Sequence, residues 1–300
     1  MTLNFCDLLV LGSDLSGLLA ATLLAKRGMG VIVLQDEERE ELNPNLLVGF
    51  ESKLFRSLIG KLMIPDGRLQ IVQKNQVSLQ VILPQSRLDI SSDSSLLFKE
   101  LLREFPERIG FFEKLYNEID QFRRDSLDLM IPLLPVTDKK EKKKFIKVAK
   151  SLPYRRFATY LEEAPQDATA LLQAQLLFLA QGSLMDPLFF QLCFLLSPET
   201  FATFSVKGGI TELKKIFYEK IEYFGGTIQK AQDGFELVVE KNEVKGIKLP
   251  QYGFVTRCRY LLGNTEVQKI YQMIPKSFRT RKFKKQAAQM KPIAYPCTLL

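Results

Sequence analysis

The chain of 300 residues is long enough for two domains, and its 46% apolar and 25% charged residues are typical of a folded protein with a substantial core. Histidine is absent, which excludes Ser-His-Asp and Cys-His nucleophilic sites, histidine general bases and histidine-ligated zinc. The net charge is +8, and a basic surface attracts phosphate groups of any kind. The four cysteines form no CxxC pair, so we expect reduced, buried thiols and no metal site.

The N-terminal segment has the order strand, helix, strand. Residues Asn4–Leu11 form a continuous apolar run, as expected of a parallel strand buried on both faces. Residues Leu18–Arg27 have high helix propensity and are followed by Gly28, which ends the helix. Residues Gly30–Leu34 predict a second buried strand. The sequence therefore predicts a βαβ unit of nearly minimal length at the start of the chain.

The turn between the first strand and the helix, GSDLSG from Gly12 to Gly17, nearly fits the dinucleotide-binding fingerprint G-x-G-x-x-G. We expect Gly12 to supply the tight turn, Gly17 to permit close packing of helix on strand, and the helix N-terminus to face a pyrophosphate. The middle glycine is replaced by Asp14, whose charge must point away, be protonated or weaken binding. The acid that the fingerprint places at the end of the second strand is replaced by Gln35, with Asp36 one residue later.

The middle of the chain has a different character. Two strands, Val77–Leu83 and Arg87–Ile90, flank Pro84, and the pattern from Ser94 to Thr200 is almost entirely helical. The predicted helices are Ser94–Phe105, Arg108–Leu129, Lys139–Ser151, Arg156–Glu163, Asp167–Gln181 and Pro187–Leu195.

The α/β pattern returns after the glycine pair Gly208-Gly209. The predicted elements are a helix over Ile210–Phe224, a strand over Thr227–Lys230, a hairpin of Phe235–Glu240 with Val244–Leu249, and a strand over Tyr252–Leu262. We therefore predict an α/β fold. Residues 1–75 and 200–264 would form a Rossmann-like dinucleotide-binding domain with a parallel sheet, and residues 76–199 a mostly helical inserted substrate or cap domain, to which 265–300 return.

The segment DLLVLGSDLSGLLAATLLAKRGMGVIVLQ resembles the N-terminus of FAD-dependent oxidoreductases of the phytoene desaturase and amine oxidase superfamily. Residues Lys207–Leu213 (KGGITEL) resemble that family's glycine pair at the start of a helix. Residues Gly226–Ile247 follow the family's spacing, and Tyr260–Asn264 match its strand end. The arginine-containing glycine loop of many relatives is not evident, and the chain stops at Leu300 before the family's glycine-rich return. We expect a fragment of a longer protein or a shortened relative.

The resemblance implies FAD as the cofactor. It also places Gly234 where the family has a valine whose backbone contacts the adenine. The residues expected to bind the cofactor are Gly12, Ser13, Asp14, Leu15, Ser16, Gly17, Gln35, Asp36 and Gly234. No catalytic side chain can be nominated, because a flavin accepts hydride itself and the protein mainly positions the substrate.

The implied function is that of an FAD-dependent, phytoene desaturase-like oxidoreductase. Hydride would pass to the flavin from a small molecule that is apolar or bears an amine. The alternative, from another class, is a non-catalytic Rossmann-like binding or scaffold protein that has lost tight cofactor binding. The replacements at Asp14 and Gln35 favour the alternative, and the strand–helix–strand order favours the enzyme.

Two basic runs, Lys139–Lys150 and Lys276–Lys291, suggest peripheral contact with an anionic membrane, although solvated helix faces are the more common outcome. No RNA-binding motif accompanies them, so no specific nucleic-acid partner is expected. No stretch has the length and purity of a membrane span, and we expect a cytoplasmic protein, with membrane-peripheral contact as the alternative.

Overall fold

The computed structural model describes residues 5–35, 46–48, 50–51, 53–130, 143, 164–180, 196, 202–230, 235–241, 243–249, 254–265 and 267–289. The chain forms two compact units. The first contains Met1–Asn45, Ile59–Val72 and Val206–Leu300, and the second contains Leu46–Leu58 and Gln73–Ser205. The first unit thus includes residues 265–300, which the sequence pattern had assigned to the helical domain.

The elements follow one another in the order strand, helix, strand at the start of the chain, as the sequence predicts. The strands are β1 (Phe5–Leu11), β2 (Val31–Gln35), β3 (Leu46–Val48), β4 (Val72–Lys74), β5 (Leu79–Leu83), β6 (Ser86–Ile90), β7 (Thr203–Val206), β8 (Thr227–Lys230), β9 (Glu236–Glu240), β10 (Glu243–Leu249) and β11 (Phe254–Gly263). The α-helices are α1 (Leu15–Lys26), α2 (Lys53–Gly60), α3 (Asp66–Leu69), α4 (Ser94–Glu104), α5 (Ile109–Met130), α6 (Gln166–Ala180), α7 (Ile210–Tyr223), α8 (Val267–Met273) and α9 (Arg281–Gln289).

The first unit contains a six-stranded sheet in the order β8-β2-β1-β11-β10-β9. Neighbours from β8 to β11 are parallel, and β10 and β9 continue the sheet as an antiparallel hairpin. In the register, Leu11 of β1 lies opposite Leu34 of β2 on one side and Gly263 of β11 on the other. The predicted parallel pairing of the first two strands is confirmed, and the mainly parallel sheet agrees with the predicted Rossmann-like α/β fold.

Burial explains why β1 and β2 are continuous apolar runs. Leu9, Val10 and Val33 are fully buried, as expected where helices or other chain segments cover both faces of a parallel sheet. Helix α1 packs against α7. Helix α1 is terminated by Gly28, whose φ of +85° lies in the left-handed region that favours glycine. The N–H of Gly28 donates to Ala25 O at 2.9 Å.

In the second unit, helices α4, α5 and α6 enclose an apolar core with the hairpin β5-β6. The buried Tyr116 of α5 and Gln175 of α6 share a hydrogen bond, with Tyr116 Oη and Gln175 Oε1 3.2 Å apart. Apart from residue 143, the predicted helices Lys139–Ser151, Arg156–Glu163 and Pro187–Leu195 lie outside the described residues, so a mostly helical cap domain stays a prediction. Within the described ranges, no helix combines the length and apolarity needed to cross a membrane.

Candidate functional site

The loop after β1 lies at the carboxyl end of the parallel strands, the edge where open α/β sheets bind ligands. Gly12 has φ +98°, and its N–H donates to Leu34 O at 2.9 Å, which ties the turn to β2. A Cβ at Gly12 would lie 2.3 Å from the backbone oxygen of Asn264. Both the positive φ and the close contact therefore require glycine here.

Helix α1 begins inside this loop, with Leu15. Asp14 precedes it in extended conformation (φ −70°, ψ 157°), and its side chain makes no capping hydrogen bond to the helix. Leu18 N–H donates to Asp14 O at 3.0 Å, so the N–H groups of Leu15, Ser16 and Gly17 precede the first intrahelical bond. The first turn has no acidic side chain. Such a helix terminus attracts an anion through its N–H groups and its dipole.

Asn264, directly after β11, holds the loop in place. Its backbone N–H donates to Leu11 O at 2.8 Å, in line with the pairing of β11 and β1. Its side-chain Nδ2 donates to Asp14 O at 3.2 Å, and Ser16 Oγ donates to its Oδ1 at 3.1 Å. Asn264, which is 248 positions after Ser16, thus connects the end of β1, the residue before α1 and the first turn of α1.

Gly17 leaves room for this asparagine. A Cβ at Gly17 would lie 2.3 Å from Asn264 Nδ2, 2.8 Å from Cγ and 2.9 Å from Cβ. The atoms that a Cβ at Gly17 would meet first belong to Asn264, the residue directly after β11, and the predicted close packing of helix on strand stays a prediction. Sequence reasoning did not include Asn264 among the site residues, although the pattern Gly263-Asn264 at a strand end was the available signal.

The expected site residues of the loop, together with Gln35, come together at one edge of the sheet. Ser13 is 6% exposed and Gln35, the last residue of β2, is 9% exposed. Gln35 lies opposite the exposed Lys230 of β8 in the register. The end of β2 therefore presents a neutral amide beside a cation, where the fingerprint has a carboxylate. The remaining two expected residues, Asp36 and Gly234, lie outside the described residues.

The second glycine motif forms the turn before α7. Gly208 and Gly209 both have positive φ (+80° and +87°), and Gly209 N–H donates to Val206 O at 2.9 Å. A Cβ at Gly208 would lie 2.9 Å from Glu212 Cγ in the first turn of the helix. The glycine pair is thus explained by the left-handed backbone of the turn that starts α7.

Two cysteines of the first unit are buried structural thiols. Cys6 of β1 and Cys258 of β11 are register partners, and Cys6 Sγ donates to Arg257 O at 3.7 Å. Burial raises the pKa of Cys6 to about 12, with smaller contributions from Cys258 and Asp7, and burial also raises the pKa of Cys258. Thiols held neutral in this way are poor nucleophiles and metal ligands. No group of three metal-ligating side chains occurs in the part of the chain that the structure describes.

No protein-family model and no curated protein matches the chain. Solved structures share its fold. A protein from Pyrococcus furiosus is similar with a TM-score of 0.57 at 15% identity, and an oxidoreductase from Methanosarcina mazei with 0.56 at 14%. A putrescine oxidase variant made in a redesign of cofactor binding has a TM-score of 0.52 at 14% identity.

Each of these similarities covers 95% of this chain. The chain spans 66% of the length of the Pyrococcus and Methanosarcina proteins, and 63% of the putrescine oxidase. At this level of identity the similarity shows the fold alone.

Proposed function

We propose that the chain is an FAD-dependent oxidoreductase of the phytoene desaturase and amine oxidase superfamily that binds its cofactor at the loop after β1. The observation that carries this proposal is the helix terminus at the end of β1, which has no side-chain cap, follows a left-handed glycine and is held by Asn264. The resemblance of the sequence to FAD-dependent oxidoreductases supports the choice of FAD among dinucleotides. The proposed substrate is a small molecule that is apolar or bears an amine.

The residues present fit the pyrophosphate of a dinucleotide. A Cβ at Gly12 or Gly17 would collide with Asn264, so both positions need glycine for this loop conformation. The N–H groups of Leu15, Ser16 and Gly17 would hold the pyrophosphate, and the α1 dipole would favour its charge. Gln35 would donate or accept a hydrogen bond at the adenosine ribose without adding a negative charge. When bound, the flavin would accept hydride from the substrate.

A scaffold protein with the same fold and no tight cofactor binding is the second candidate, because of the charge at Asp14. Two unit charges about 4 Å apart repel by about 4 kcal/mol at an effective dielectric of about 20. A carboxylate that faced the pyrophosphate would therefore reduce affinity by nearly three decades. The extended backbone of Asp14 places its side chain at the start of α1, next to the proposed pyrophosphate position.

A titration with FAD distinguishes the two candidates. If the chain is the FAD-dependent enzyme, we expect the purified chain to quench flavin fluorescence in a saturable way, and Gly17→Val to lose this quenching. Gly110→Ala is the control, because no heavy atom lies within 4 Å of the Cβ that it adds in α5. Absence of FAD binding in both the natural chain and the control would contradict the enzyme and favour the scaffold.

A further inference from the structure

A cluster of cations lies at the C-terminal end of the described chain. The side chain of each member is exposed, and all members lie between residues 276 and 285. They are Lys276, Arg281, Lys282, Lys284 and Lys285. Within the part of the chain that the structure describes, none of these five side chains forms an ion pair. No acidic residue follows Glu266 in the sequence, so the cluster has no neutralising charge along its own segment. We call these five residues the basic face.

The cations of α9 lie on one side of the helix, and its packed residues lie on the opposite side. At about 100° per residue, its four cations cover an arc of roughly 160°, and Phe283 points to the other side. The ring of Phe283 contacts Tyr271 of α8, with centroids 5.4 Å apart. Packing of this aromatic pair fixes which side of α9 is exposed, and that side carries only cations among its charged groups.

Arg279 shows what a cation does when it is part of the fold. Its guanidinium donates to Ile274 O and to Gln272 O, both at 2.7 Å, and stacks over the Tyr271 ring at 5.1 Å. The five cations of the basic face have no comparable bonds within the described chain. Their charge is therefore available to a partner rather than needed for folding.

Helix α8 connects the basic face to the candidate site. A Cβ at Gly263 would lie 2.5 Å from Ile270 Cδ1, so α8 packs directly on the last residue of β11. Asn264, which holds the nucleotide-binding loop, is the next residue. The basic face thus lies mainly on α9, which packs against α8, and α8 contacts the carboxyl end of β11.

We propose that the basic face docks the protein onto an anionic lipid bilayer. A bilayer surface needs only a broad array of cations, and each Lys or Arg near it raises partitioning by about fivefold. Binding of single-stranded nucleic acid relies on aromatic rings that stack on bases, whereas Phe283 and Tyr271 pack on each other here. A specific protein interface relies on buried aromatic or arginine residues at its centre, and α9 presents mostly lysines.

The test is co-sedimentation of the purified chain with phosphatidylcholine vesicles that contain increasing phosphatidylserine, at low and high salt. The variant Lys282→Gln/Lys285→Gln removes two cations of the basic face with little change in helix propensity. The control Lys99→Gln/Arg108→Gln removes two exposed cations elsewhere, so that both proteins have the same net charge. Circular dichroism spectra identical to that of the natural chain verify that both variants fold.

We expect binding that rises with phosphatidylserine and falls with salt. It should weaken roughly thirtyfold in the Lys282/Lys285 variant and much less in the control, because about fivefold is lost for each cation. Equal losses in both variants would show a nonspecific effect of net charge and overturn the proposal. Binding to neutral vesicles alone, or to a single-stranded RNA and not to anionic vesicles, would also overturn it.

Discussion

Replacement of Gly17 by alanine tests the role of Asn264 in shaping the loop. The added Cβ would lie within 3 Å of three side-chain atoms of Asn264, so this side chain must rotate away. Its hydrogen bonds with Asp14 O and Ser16 Oγ would then be lost, at about 1 kcal/mol each, and the misfit adds roughly 1–3 kcal/mol. The higher helix propensity of alanine offsets about 1 kcal/mol. We expect Gly17→Ala to lower the free energy of unfolding by about 2–4 kcal/mol.

A double-mutant cycle isolates the contact from other effects of the substitution. Asn264→Ala alone should cost about 2 kcal/mol, because it removes the same two hydrogen bonds. In Gly17→Ala/Asn264→Ala the Nδ2 and Cγ atoms are gone, so the clash is largely relieved and the bonds are lost only once. The double variant should therefore be more stable than the sum of the single effects by at least about 1 kcal/mol.

The assay is urea unfolding of the four proteins at one temperature, with the free energy extrapolated to water. Gly110→Ala is the matched control for helix propensity, and we expect it to be neutral or stabilising by up to about 1 kcal/mol. Strict additivity of Gly17→Ala and Asn264→Ala would refute the reasoning, because it would mean that the two residues do not share the contact.

Three further predictions concern single groups. Asp14→Gly should tighten FAD binding by up to about 4 kcal/mol in a fluorescence titration if the carboxylate faces the phosphate, and unchanged affinity would show that it points away. Asp93→Ala should destabilise the chain at neutral pH, because the hydrogen bond from Ser95 Oγ stabilises the Asp93 carboxylate and lowers its pKa. The stabilisation by this carboxylate is present above the ordinary carboxylate pKa and is lost as the pH falls through the lowered pKa. The urea midpoints of Asp93→Ala and the natural chain should therefore converge in acid. Burial raises the pKa of Cys6 to about 12, so the free energy of unfolding should decline as the pH rises from the ordinary thiol pKa towards 12. For the same reason, mass spectrometry should find Cys6 unalkylated by iodoacetamide near neutral pH unless denaturant is present. Rapid alkylation of Cys6 in the folded chain would contradict this.

The βαβ unit was predictable from the sequence because its burial is local and regular. Strands β1 and β2 lie within one residue of their predicted bounds, since both faces are covered and the apolar runs have no gaps. Helix α1 begins at Leu15, where the loop pattern predicts the helix N-terminus, although the run of high helix propensity starts only at Leu18. Polar residues in a first turn leave no apolar periodicity to detect.

The contact between the loop and Asn264 was not predictable from helix propensity or apolar periodicity. Ser16 and Asn264 are 248 positions apart, and they meet only because β11 pairs with β1 in a register that sets Leu11 against Gly263. A strand order is a tertiary property that propensity and periodicity do not encode. For the same reason, the packing of Ile270 on Gly263 could not be inferred from the pattern of one segment.

The most direct measurement of the central claim is a titration of the isotope-labelled chain with FAD, followed by backbone amide NMR. If the helix terminus after β1 holds the pyrophosphate, the largest and saturable shifts should occur at the N–H groups of Leu15, Ser16 and Gly17, whose positions precede the first intrahelical bond. Shifts confined to other parts of the chain, or no shifts at saturating FAD, would contradict the claim that this loop is the cofactor site.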